Sequence, residues 1–203
     1  MKSVVLEKIN NFVKNRAIEL LGVLLILIGF FLSLSILSYS PNDPNFIYNL
    51  EYIDVNNMTG FYGSVVADLL LQSIGLVSIF LIINLFNWGL KLLTQKKIVN
   101  FTSKIFFTLV YIIFGTVCVN ISFNDSFWLI DNGNSGFVGR IIKEYAYNFS
   151  TLVENQYVFY ALLITSVTFF VLSLDFKLNE IIRIFSFPFI IIKKIYFLFK
   201  KER

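Results

Sequence analysis

Asp68 is the side chain of this sequence best placed to do chemistry. It stands eight residues into Gly60-Phe61-Tyr62-Gly63-Ser64-Val65-Val66-Ala67-Asp68-Leu69, a stretch that leads into a long apolar run. On a helix that is about 12 Å along the axis from Gly60. A carboxylate at that depth in lipid is costly, so it must face protein or water and find a partner. It could hold a proton or an ion, or it could bond to Ser and Asn groups of a neighbouring helix. Most other chemistry is excluded by composition. The chain has no histidine and one cysteine, Cys118, which removes zinc sites, Ser-His-Asp triads, Cys-His pairs and any internal disulfide. No G-x-x-x-x-G-K-[ST] occurs, and the 13 acidic residues show no spacing that suggests a paired-carboxylate or two-metal site. The residues predict no enzyme, no metal and no cofactor.

The elements that must position Asp68 are four uncharged apolar stretches, Leu20–Ser38, Leu69–Leu90, Ile105–Asn124 and Asn155–Leu174. About 20 residues at 1.5 Å each cross the ~30 Å hydrocarbon core as a helix. The runs do not alternate apolar with polar, which rules against a closed barrel. The expected fold is all-α and integral to the membrane, with spans at about 17–39, 64–90, 104–124 and 155–175. Outer loops follow at about 40–63 and 125–154, with a basic leader at 1–16 and a basic juxtamembrane tail, or start of a linker, at 176–203. That division leaves no room within these 203 residues for a typical globular domain of ~100 residues.

Of the 17 Lys and Arg residues, 15 fall in the leader, the 91–104 connection and the tail, and only Arg140 and Lys143 fall elsewhere. Basic residues collect on the cytoplasmic side, so both termini are read as cytoplasmic. The net charge of +4 then points to anionic headgroups rather than nucleic acid. The first span exceeds a signal-peptide core and lacks a small-x-small cleavage site, and it reads as an uncleaved anchor.

Local patterns add detail. Ile9, Phe12 and Val13 share a face that suits a leader helix lying on the inner leaflet. Gly22 and Gly29 lie on one face of span one, where small residues allow close approach, and Glu19 is an interfacial charge within reach of Arg16. Ser40-Pro41-Asn42-Asp43-Pro44 predicts a rigid, non-helical elbow after span one. Thr59 is the expected N-cap of a helix from Gly60, and Gly60, Gly63, Ser64 and Ala67 form one small-residue face. Trp128 and Tyr157 belong at the membrane interface. After Gly139 the apolar residues Ile141, Ile142, Tyr145, Phe149 and Leu152 predict a short helix lying on the outer leaflet or receiving a partner. Ile184–Ile192, interrupted by Pro188 and closed by Lys193-Lys194, is too short to span and predicts an interfacial tail helix.

The order of these features resembles the four-helix membrane domain of the FtsK/SpoIIIE DNA translocases. The residues that carry the resemblance are the leader, Ser40-Pro41-Asn42-Asp43-Pro44, then Gly60-x-x-Gly63-x-x-x-Ala67-Asp68-Leu69 with Gly75, then Gly136-x-x-Gly139 before span four. It covers about residues 15–185, and Ser135 stands where the family pairs a second glycine with Gly136. The resemblance implies a membrane anchor at the bacterial division septum in the inner membrane. It also implies homo-oligomerisation and contacts with other division-site membrane proteins, linking division to chromosome partition. The DNA-pumping motor of that family is not among these residues, so no ATPase and no direct nucleic-acid contact carry over. The family-motif residues to which a structural or partner role transfers are Ser40, Pro41, Asp43, Pro44, Gly60, Gly63, Ala67, Asp68, Gly75, Gly136 and Gly139.

Two other classes remain open on sequence. A small ion-coupled transporter subunit would rest on Asp68, although the two pairs of spans show no inverted repeat. A lipid-sensing or holin-like protein would rest on the interfacial helices.

Overall fold

The computed structural model describes residues 2–45, 54–126, 128–129 and 131–176, with side chains from Leu6 onward. The expected interfacial tail helix at Ile184–Ile192 therefore lies outside the described residues, as does Phe46 beside the Pro41–Pro44 elbow. All regular structure among the described residues is helical: α1 Lys2–Leu37, α2 Gly60–Ile74, α3 Ser78–Gln95, α4 Phe101–Phe123, α5 Gly136–Phe149 and α6 Gln156–Ser173, with 3₁₀ turns at Gly75–Val77 and Thr151–Glu154. Among the described residues four helical segments are long and apolar enough to cross a bilayer, with α2 and α3 counting as one.

Two tight pairs build the bundle. α1 packs along α3, where Gly22 and Gly89 face each other and a Cβ on Gly22 would sit 2.9 Å from the Gly89 carbonyl oxygen. The small-residue face of span one is thus used inside the molecule. α4 packs along α6, with Gly115 against Ser166 and Phe107 and Tyr111 against Phe169 and Phe170. α5 lies between the pairs against α4 and α2.

A buried polar knot joins α3, α4 and α6. Asn84 Nδ2 donates to Thr108 Oγ1 and to Tyr111 OH, each at 3.1 Å, while Ser173 Oγ donates to Asn84 Oδ1 at 3.0 Å. Asn84 and Ser173 are fully buried. With no water in the bilayer core, such an amide must find its partners among neighbouring side chains, here three hydroxyls.

Three expectations change. The leader is not a separate interfacial helix, because α1 is unbroken from Lys2 to Leu37. At 1.5 Å per residue its 36 residues extend about 54 Å, well beyond the bilayer core. The second span is not a continuous helix, since it breaks at Gly75–Val77. The second-loop helix begins at Gly136 rather than after Gly139, and it docks on α2 and α4 rather than lying free on the leaflet. Its far end still presents aromatic residues outward, with Tyr145 and Phe149 exposed.

Candidate functional site

The motif residues gather into two groups away from the basic face, one at the outer end of the bundle and one deeper within it. The first is the elbow after α1, which is non-helical as the two prolines require. Asp43 is buried and accepts three hydrogen bonds across the loop, from Asn56 N at 3.0 Å, Asn56 Nδ2 at 3.1 Å and Asn57 N at 2.9 Å. Asn57 in turn donates to the Ser35 carbonyl at 2.8 Å and accepts from Thr59 N and Oγ1 at 3.1 and 2.7 Å. Ser40 Oγ accepts from Asn42 N at 3.4 Å, and the Pro44 carbonyl accepts from Ser64 Oγ at 2.7 Å. Both sides of the loop are thereby fastened to α1 and α2.

Thr59 occupies the N-cap position but its side chain does not cap α2. Its hydroxyl is engaged by Asn57 and lies 2.7 Å from Ser35 Oγ. That placement is what demands glycine at 63, where a Cβ would fall 1.6 Å from Thr59 Oγ1. Gly60 is not part of the packed face. It has φ of 70° with open space around a would-be Cβ, so its backbone conformation alone favours glycine. Gly63, Ser64 and Ala67 are buried as the small-residue face predicts, and Ala67 is fully so.

The second group is a glycine joint well below the outer end of the bundle. The break in the second span frees the Leu76 N–H, which donates to the Asn134 carbonyl at 2.9 Å. Gly75 (φ 58°) and Gly136 (φ 66°) meet there backbone to backbone. Gly139 lies against the Thr116 carbonyl, about 10 Å down α4 from Phe123. Ser135 is fully buried, donates to Asn124 Oδ1 at 2.7 Å and accepts from Asn120 Nδ2 at 2.9 Å. The hydroxyl thus ties the loop to α4 at a position where a second glycine could not.

Asp68 sits between the groups, half-buried, and accepts from Tyr39 OH at 3.0 Å. Tyr39 lies beyond the end of α1. Burial first, and the neighbouring Asp68 second, push its phenol well above the ordinary value, so it keeps the proton it donates. Asp68 also lines a cleft of about 620 Å³ with Gln72, Asp131 and the apolar walls of Val65, Leu69 and Phe137. Tyr39 itself packs edge-on against Trp128 at 6.0 Å. Among the described residues no three His, Cys, Asp or Glu side chains gather as metal ligands.

Sequence reasoning missed a clasp at the basic end. The free carbonyls of the α6 C-terminus accept from Trp88 Nε1 (Ser173, 2.9 Å), Lys104 Nζ (Leu172, 2.9 Å), Asn87 Nδ2 (Leu174) and Lys91 Nζ (Asp175). These groups come from α3 and α4, and the two ammonium groups also meet the negative end of the helix dipole. The Asp175 carboxylate, two residues past the span, pairs with Lys104 at 3.0 Å and Lys91 at 3.7 Å. The available signal was Lys91 following Asn87-Trp88, a polar cluster where the second span should be ending.

Burial alone would raise the Asp175 carboxyl, but Lys104, Lys91 and the Val99 N–H together hold it below the usual carboxylate range. A lowered native pKa means this stabilisation is complete above the unfolded value of about 4 and fades as pH falls through the native one. Micelle-solubilised protein should therefore lose thermal stability on acidification below about pH 4. Asp175→Asn should be less stable at neutral pH and lack that part of the acid dependence. Equal acid sensitivity in the two proteins would remove Asp175 as its source.

At the level of whole sequences, residues 14–184 match the family model described as the 4TM region of DNA translocase FtsK/SpoIIIE. The DNA translocase FtsK of Azospirillum brasilense is 33% identical over 88 residues, which cover 43% of this chain and 14% of that protein. The chain thus spans a small part of that relative's length. No solved structure matches it.

Proposed function

This chain belongs to the 4TM family of the FtsK/SpoIIIE DNA translocases, and from that premise we propose that it anchors a DNA-translocase-like division protein at the septum of the bacterial inner membrane. In this reading it oligomerises and its outer loops meet other division-site membrane proteins, while a motor outside these residues moves DNA and links division to chromosome partition. The family match across all four spans is the observation that carries the proposal. The geometry supports it, because the motif residues are spent on fastening loops to helices: Asp43 and the glycine joint shape the outer surface without being exposed on it.

A fluorescent fusion of the chain, tagged at its C-terminus and imaged in dividing cells, should give a midcell band. Uniform membrane labelling would overturn the septal assignment. The broken second span and the cleft shared by Asp68 and Asp131 favour a second reading, an ion-coupled transport subunit. Asp68→Asn retains the midcell band under the anchor reading, whereas loss of a proton- or ion-dependent flux in vesicles would support transport.

A further inference from the structure

Among the described residues, α1 runs past everything it packs against. On the basic side its ties to the bundle stop at the ion pair of Glu19 with Lys96, and residues 6–17 are exposed throughout. Counting about 20 residues back from Leu37 places the inner edge of the hydrocarbon near Ile18. Glu7, Lys8, Lys14 and Arg16 keep the helix beyond that point out of the lipid.

This protruding turn-and-a-half of heptads is not polar all round. Leu6, Ile9 and Val13 are 66%, 54% and 58% exposed on one line. The spacing of three and four continues without a stutter through Arg16, Leu20, Val23, Leu27, Phe30, Leu34 and Leu37, and every apolar member is at least 43% exposed. Within lipid such a line is unremarkable, since almost every residue there is apolar. In water it is a core stripe without a core, and a stripe of this period is the seam of a coiled coil.

We propose that this line is where two copies of the chain meet, α1 against α1 in parallel, with Leu6, Ile9 and Val13 forming the cytoplasmic end of the seam. The proposal deepens the homo-oligomerisation in the function proposed above and rests on it. Three features select a second copy as occupant. The helix is unbroken, so its stripe points along the bilayer rather than down onto the leaflet. A partner must follow the same line through water and lipid, and the membrane holds a second α1 parallel and in register. The charges also permit self-pairing: Glu7, Lys8 and Lys14 lie off the seam, and the one seam cation, Arg16, carries its own counter-ion in Glu19. A single polar seam position of this kind fixes register in coiled coils.

The test is cysteine crosslinking of the full chain in proteoliposomes, on a Cys118→Ala background. Single cysteines at Leu6, Ile9 and Val13 should oxidise to a disulfide-linked dimer, while those at Lys8, Asn11 and Asn15 should remain monomeric. Ile9→Asp combined with Val13→Asp should abolish a dimer reported by a cysteine at Leu6. Crosslinking that is absent, or equal on all faces, would overturn the proposal. So would an environment-sensitive dye at Ile9 that reports lipid contact in a chain that stays monomeric, since the leaflet would then cover the stripe. Septal placement is scored separately in cells, so a uniform label there leaves the seam standing, and a silent seam leaves the anchor standing.

Discussion

Gly136→Ala should destabilise the bundle by about 3 kcal/mol or more. Two independent costs combine there. The residue has φ of 66°, which costs an L-residue about 1 kcal/mol or slightly more. Its Cβ would also fall 2.6 Å from Gly75 N and 2.7 Å from the Ser73 carbonyl carbon and oxygen, all backbone atoms with no rotamer to move into. Gly60→Ala separates the two terms. Its φ is 70° but nothing lies within 4 Å, so it should cost only the conformational part. Denaturant unfolding in mixed micelles, followed through Trp88 and Trp128, gives both numbers. A Gly136→Ala protein no weaker than Gly60→Ala would mean that the α2–α5 joint is not closed as described. The consequence would reach beyond stability, because the joint supplies the acceptor for the Leu76 N–H that the helix break leaves unpaired.

That joint also marks the limit of what the sequence makes legible. Hydropathy locates the spans because lipid is a uniform solvent, and twenty apolar residues have one stable answer in it. Gly75 and Gly136 are recognisable as motif residues, yet their meeting depends on a loop folding back about 10 Å beside α4, and no local period encodes that return. The same holds for Asp175, whose partners Lys91 and Lys104 are more than 70 residues away and read in sequence as ordinary inner-face charges. Thr59 failed as a cap for a different reason. A neighbouring side chain, Asn57, competes for its hydroxyl, and propensity rules do not see such competition. The face of α1 is the converse case. Ile9, Phe12 and Val13 were visible as a stripe, and the unbroken helix changes which surface that stripe can meet.

Asp43→Ala should release the first outer loop while leaving the spans inserted. Each of its three partners is a donor, and two are backbone N–H groups. Asn57 is only 4% exposed, so its amide would remain buried without water to replace the carboxylate. Leaving such donors unpaired costs about 1–3 kcal/mol each, and more where the lost acceptor was charged. Asp43→Asn should rescue only in part, since its Oδ1 can still accept from Asn56 while its NH₂ would point a donor at the Asn57 N–H. Amide exchange should accelerate at Asn56 and Asn57 in Asp43→Ala and at Asn57 in Asp43→Asn, and externally added protease should cut the loop of Asp43→Ala in proteoliposomes while α4 and α6 stay protected. Because Asn57 also holds the Ser35 carbonyl and Thr59, the loss should spread to the start of α2 and to the packing of Gly63. If the loop presents the outer surface to division-site partners, capture of those proteins should fall with unchanged membrane insertion. Unaltered exchange at Asn56 and Asn57 would show that the loop is held by something other than this carboxylate.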